Sequence, residues 1–325
     1  MVPPPKYGTC SGQKTSQANK TNSGNAITMK HIFKEKNRVG IGSDRSNRRF
    51  LSGGNLESTL KKDYHVDLTH NAAFELLYTR EGRMIMQQYH ELHLQLAERY
   101  QLTYILETPT WRANRDWIYR LGYKTDETAA VNRHAVQFIR ETQYSKNCDV
   151  IISGSVGPRQ DDFDQSNAMS PEESAQYHNE QLSTFALMDV DIITARALND
   201  CDEAIGLVKA CRALGIPVAI SFKVDREGNL PSGEPLGNAI TRVDQGTSDY
   251  TTYFTLNCIG SETLQHLTNE SGSWKGRLHG IQTISNSNAL DLTSIREHFP
   301  NLKVLGGCGF DFTSLDDLCR KFIAG

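Results

Sequence analysis

Eight times between Arg49 and the C-terminal end, a short run of β-branched, aromatic and aliphatic residues gives way to a loop and then to a longer helical pattern. The runs are RRFLSGG (49–54), TYILET (103–108), VIISGS (150–155), DIITA (191–195), PVAISF (217–222), TYFTLNC (252–258), RLHGIQ (277–282) and LKVLGG (302–307). Strands that alternate with crossover-length helices imply parallel pairing, because a parallel neighbour is reached only by a connection that returns along the sheet. Eight such units predict an α/β (β/α)8 TIM barrel. A doubly wound sheet would carry a glycine-rich dinucleotide fingerprint after its first strand, and none is present.

Local signals agree. Ser170, Pro171 and Glu173 form a cap, a first-turn proline and a capping box, so a helix starts there. Gly215 closes the helix that begins near Cys201. Phe74, Leu77, Ile85, Tyr89, Leu92 and Leu96 recur at helical spacing, which predicts one long helix, and a further helix is expected around residues 126–145. Residues 1–45 are rich in Ser, Thr, Asn, Gly and Lys, and predict a disordered extension before a single barrel domain at 46–325. Their basic, acid-poor character is shared with organelle-targeting peptides, without an Arg-rich amphipathic helix.

No apolar run reaches membrane-spanning length, and a net charge of −3 leaves no electrostatic footprint for nucleic acid. Seven cysteines without a secretory h-region predict a reducing, cytoplasmic setting, in which a special cysteine binds metal or reacts. Barrel chemistry sits at the C-terminal ends of strands. Cys258 ends the sixth run and Cys308 the eighth, so the fold delivers both thiols to one mouth. Cys148, Cys201, Cys211 and Cys319 lie before a strand or on helices and read as small buried hydrophobes. Trp111 either walls the mouth or packs under the next helix, and His134 and His178 read as exposed or capping helix residues.

From about Phe50 to Ile323 the chain resembles the zinc-dependent homocysteine S-methyltransferase family, nearest a bacterial-type branch. The stretches that carry the resemblance are LETPTWRANRDW (106–117), LGYKTDE (121–127), ISGSVGPR (152–159), MSPEESAQYHNEQ (169–181) and SFKVDREGNLPSGEPLGNAI (221–240). Asn257-Cys258 matches the family's first zinc cysteine, and Gly306-Gly307-Cys308-Gly309 matches its Gly-Gly-Cys-Cys-Gly segment with one cysteine missing. The resemblance implies methyl transfer from a sulfonium-type donor to a thiol such as homocysteine, which zinc would activate as thiolate. It implies metal contacts at Cys258 and Cys308 and substrate contacts at Ser52, Gly53, Gly54 and Thr194. Glu107, Asp161 and Asp162 are further candidates on the same face, with pairing to Arg112 or Arg159 as the alternative.

Three positions depart from the family pattern. Ser52 stands where the family has an aspartate that helps hold the acceptor's amino group. Arg196 follows Thr194-Ala195, either repelling an ammonium in the mouth or serving as a solvated or salt-bridged rim residue. One zinc cysteine is gone, leaving Asp311 or water as replacement ligands, and Phe310 crowds the mouth. The competing expectation is therefore a barrel that has lost zinc and turnover and keeps a ligand-binding or scaffolding role. Monomer and dimer both remain open.

Overall fold

The computed structural model describes residues 48–143, 147–160, 168–284 and 292–324. The expectation for residues 1–45 lies outside the described residues, as do Asp161 and Asp162.

Strands β1 (Phe50–Ser52), β2 (Thr103–Glu107), β3 (Val150–Val156), β4 (Ile192–Leu198), β5 (Val218–Phe222), β6 (Tyr253–Ile259), β7 (Leu278–Ile284) and β8 (Val304–Cys308) pair in parallel and in chain order. β8 returns to β1, so the sheet closes. The helices are α1 (Leu56–Asp63), α2 (Arg80–Tyr100), α3 (Arg115–Arg120), α4 (Thr128–Thr142), α5 (Pro171–Leu187), α6 (Cys201–Leu214), α7 (Leu236–Thr247), α8 (Ser261–Asn269), α9 (Leu292–His298) and α10 (Phe312–Ala324). The capping box at Ser170 and Glu173 and the left-handed Gly215 cap form as the sequence predicts.

One predicted helix is two. Phe74 and Leu77 lie in a 3-10 turn over Ala73–Tyr78, and α2 starts only at Arg80. The physical reason is Thr79, whose extended backbone breaks the run and whose hydroxyl accepts from Gly82 N–H at 3.0 Å, capping α2.

The strands are buried on both faces. Alternate residues face the helices in a large apolar cluster that includes Leu51, Leu106, Ile193, Ile220, Phe254 and Leu305. The other parity forms a separate cluster of Phe50, Ile105, Ile151, Ile192, Ala219, Tyr253 and Val304, which fills the barrel near the N-terminal ends of its strands. Along the same parity, polar residues take over toward the C-terminal ends: Ser52, Glu107, Ser153, Thr194, Ser221 and Gln282. The barrel is thus plugged with hydrocarbon below and polar above.

Two strands break register at the upper end. Between Ala195 and Leu198, β4 spends two residues against one of β5; between Leu256 and Ile259, β6 does the same against β7. Each bulge contains a non-glycine residue with positive φ, Ala197 at +54° and Cys258 at +51°. Bulges of this kind re-aim a side chain and bend the strand. Here they sit at Arg196-Ala197 and Asn257-Cys258, the two places where the sequence departs from or matches the expected chemistry.

β1 and β8 meet above their last pair through glycine alone. Gly54 has φ +66°, and a Cβ there would overlap the Gly307 carbonyl. Phe310 packs its ring against Gly307 from the other side. Gly54→Ala therefore combines backbone strain with a clash that no rotamer relieves, and is expected to cost roughly 2–5 kcal/mol of stability. Urea denaturation of the variant beside the parent measures it; a loss within experimental error would show that the β1–β8 junction has slack.

Candidate active site

Arg196 reaches across the mouth. It is 8% exposed, and its guanidinium donates through Nε and Nη2 to the two carboxylate oxygens of Glu107, the latter at 2.8 Å. Nη1 donates to the Gly54 carbonyl at 2.7 Å and to Gln282 Oε1 at 3.0 Å. Gln282 in turn donates through Nε2 to Ser52 Oγ at 3.1 Å. One side chain from β4 therefore ties together the ends of β1, β2 and β7. Burial disfavours its charge, but the charge and hydrogen bonds of Glu107, together with Tyr89 and Glu57, offset this and hold the guanidinium protonated more firmly than in water.

Arg196 is thus neither a solvated rim group nor a free charge in the mouth; it is a buried, paired one. Glu107 pairs with Arg196, while Arg159 takes Asp116 at 2.8 Å. The Arg112 guanidinium lies between the rings of Trp111 and Trp117, 3.9 and 3.7 Å from their centroids. Trp111 walls the mouth, and its indole N–H donates to the Arg196 carbonyl at 3.1 Å.

Beside this pair opens a small cleft, lined among others by Gly53, Gly54, Glu57, Glu107, Trp111 and Arg196. Of the residues the resemblance points to, Gly53, Gly54 and Glu107 line the cleft. Ser52 and Thr194 do not line the cleft: Ser52 Oγ accepts from Gln282, and Thr194 Oγ1 shares a 2.7 Å hydrogen bond with Ser153 Oγ inside the barrel. Glu57 was not anticipated from the sequence. It sits in the first turn of α1, where an acidic residue reads as ordinary complement to the helix dipole, and only the fold shows that it faces the cleft. Burial pushes its carboxyl up, against the pull of its own backbone N–H and of Arg196.

Cys258 and Cys308 do meet. They are joined to each other as a disulfide, with Cα atoms 5.6 Å apart, rather than standing as separate metal ligands. Asn55 links the sulfurs to the cleft: its Oδ1 caps α1 by accepting from Ser58 N–H, and its Nδ2 points at Cys258 Sγ, 3.7 Å away. Asp311 does not complete a metal set. Its Oδ1 accepts from Ser314 N–H at 2.8 Å, which holds its carboxyl below the usual range and spends it on the start of α10. Among the described residues no group of three His, Cys, Asp or Glu side chains could hold a metal ion. A catalytic zinc site uses three protein ligands and one open position. The two sulfurs alone do not make that set.

The remaining cysteines behave as buried hydrophobes. Cys201, Cys211 and Cys319 are buried and free and Cys148 is half-buried; burial pushes the thiols of Cys201 and Cys319 up to about 12. His178 differs from expectation, being fully buried with Nε2 at 2.9 Å from Glu203 Oε1, because α5 and α6 pack face to face there.

The profile of the homocysteine S-methyltransferase family matches residues 51–308, most of the chain. This protein belongs to that family. Betaine–homocysteine S-methyltransferase 1 from Bos taurus is 27% identical over 147 residues, covering 44% of this chain and 35% of that relative's length. The metallated form of the homocysteine methyltransferase MmuM from Escherichia coli superposes with a TM-score of 0.67 at 17% identity, covering 86% of this chain and 97% of that one. Its oxidized form gives 0.65 over the same coverage. These structures share the barrel; family membership rests on the sequence match.

Two outcomes follow from the buried charges. Arg196→Met leaves Glu107 uncompensated and is expected to cost about 3–5 kcal/mol, more than the double variant with Glu107→Gln, for a coupling of about 2 kcal/mol in a denaturation cycle. In the cleft wall and behind it, burial pushes His90 down to about 3 and His93 down to about 4. Both bind protons less readily folded than unfolded, so stability is complete above the ordinary histidine value and is lost as pH falls toward 3. At pH 5 the loss is about 2 kcal/mol per histidine. His90→Gln should remove about half of this acid sensitivity, read as the change in urea midpoint between pH 7.5 and pH 5.

Proposed function

We propose that this protein transfers a methyl group from a sulfonium-type donor to the sulfur of a thiol acceptor such as homocysteine, forming methionine in that case. The observation that carries the reading is convergence: a family match over residues 51–308 includes Cys258 and Cys308, which β6 and β8 bring to one point beside an open, charged cleft. The names of the relatives support homocysteine as the acceptor. The cytoplasmic setting belongs to the same proposal. Among the described residues no helix is long and apolar enough to cross a membrane.

In the reaction the acceptor sulfur contributes an electron pair to a new S–CH3 bond. The donor's S–CH3 bond breaks, and its electrons return to the donor sulfur, which leaves as a neutral sulfide. The thiol proton passes to water. A positively charged sulfur is already a good leaving group, so the protein's work is to hold the two reactants in line and exclude competing nucleophiles. Arg196 and Glu107 suit that task because their mutual hydrogen bonds fix the mouth before a ligand arrives. The described donor set does not form a three-ligand zinc site, so no step is assigned to a metal.

A second reading, a barrel that binds its ligand without turnover, is favoured by the missing third metal donor and by the Arg196 side chain lying across the mouth. Transfer of label from a methylsulfonium donor to homocysteine, with the protein kept reduced, separates the two. Without metal activation the acceptor reacts only through its small thiolate fraction, so kcat/KM is expected to rise about tenfold per pH unit from pH 6 to pH 8. Zinc should be far below one per chain, with or without Cys258→Ser. A flat profile with stoichiometric zinc that vanishes in Cys258→Ser would sink the metal-free mechanism. No transfer under any condition would leave the binding role.

A further inference from the structure

If the acceptor is an amino-acid thiol, as proposed above, its ammonium group needs a carboxylate in the cleft. Ser52, at the position where the family resemblance led to an aspartate, offers none and is hydrogen-bonded to Gln282 inside the barrel. Glu107 lines the cleft, but both of its oxygens accept from Arg196. Glu57 also lines it, and among the described residues no ion pair occupies its carboxylate.

The three charged groups of the lining, Glu57, Glu107 and Arg196, leave one negative charge uncancelled. Arg112 lies within electrostatic reach of Glu57, but its guanidinium is sandwiched between two indoles. A second polar group is unsatisfied in the same place. His90 lines the cleft at 2% exposure, its Nδ1 is 3.1 Å from the Tyr104 hydroxyl, and among the described residues its Nε2 has no hydrogen-bond partner. A buried polar atom without a partner is uncommon and marks a place where a ligand's polar group would be accepted.

We infer that Glu57 binds the ammonium group of the thiol acceptor, supplying from α1 the carboxylate that β1 lacks. The span is consistent with this assignment. Asn55, two residues before Glu57, points its amide at Cys258 Sγ, so the first turn of α1 runs from the sulfur pair to the cleft. In homocysteine, sulfur and nitrogen are separated by a chain of three carbons. An acceptor with its thiol near Cys258 and Cys308 would present its ammonium toward Glu57. Asn55 and Glu57 then act together, one turn of helix placing both ends of a small amino acid.

The test is equilibrium binding of three probes to the reduced full-length protein and to Glu57→Gln and Glu57→Asp. L-Homocysteine carries thiol and ammonium, L-methionine carries the ammonium without the thiol, and 4-mercaptobutanoate carries the thiol without the ammonium. Both amino acids are expected to bind, and to weaken roughly 10- to 100-fold in Glu57→Gln, the scale of one hydrogen bond to a charged group. Glu57→Asp should recover part of the loss, and 4-mercaptobutanoate should be indifferent to all three forms. A purely structural role in α1 would shift the melting temperature and leave the contrast between probes unchanged, which overturns the inference. Amino acids that bind equally to parent and Glu57→Gln overturn it too, while the proposed reaction stands. Amino acids that bind through Glu57 with no methyl transfer to any thiol uphold the inference and defeat the reaction. If none of the probes binds the parent, both fall.

Discussion

The buried contact between Arg196 and Glu107 organises the upper barrel. A guanidinium removed from water is costly unless every strong donor is matched, and here the partners come from β1, β2 and β7 at once. The charge therefore acts less as a recognition group than as a fastener. It fixes the height of Gly54, the direction of Glu107 and the amide orientation of Gln282, and through Gln282 it turns the Ser52 hydroxyl inward. The open cleft is the space this arrangement leaves beside it.

The fold was readable because its signals are repetitive and local. Eight apolar runs of strand length, each followed by a helical stretch, admit few closed topologies, and the caps at Ser170 and Gly215 are decided within a few residues of chain. Among the elements, the one difference has a local cause. Thr79 splits a helix whose apolar spacing continues through it. The convergence of Cys258 and Cys308 was legible for the same reason as the fold, since strand ends in such a barrel share a mouth. The environment of Arg196 was not. Its partners lie 86 to 142 positions away in sequence, and no periodicity reports them. Glu57 was hidden by having an adequate local explanation as a first-turn acid. His178 looked like a surface residue because its helix pattern does not show that α5 and α6 bury their shared face.

The sulfur pair shows how far the barrel beneath a motif decides what the motif can do. Two thiols from separate strand ends remain adjacent because the backbone that carries them is set by the barrel. Adjacency without a third donor among the described residues favours bonding to each other over binding a metal, so the same position can present a dithiol or a disulfide according to its surroundings. The nearest helix supplies an amide to that position through Asn55 and a carboxylate to the cleft through Glu57. The chemistry at this mouth is thereby shifted from the strand tips toward the first turn of α1.

The bulges in β4 and β6 give the barrel a form of insulation. Below them, β4 and β6 keep their alternation, because a slip of one residue would turn hydrocarbon toward the polar layer, and the one further shift is taken up by β7 between Leu278 and Gly280. Above them, the extra residue has already broken that parity, so the last side chains are no longer bound to the alternation beneath. Arg196 and Cys258 both lie in these decoupled tips. The side chains at the tips are therefore free of the alternation that governs the strands underneath, and in this chain they are an arginine at one tip and a cysteine at the other.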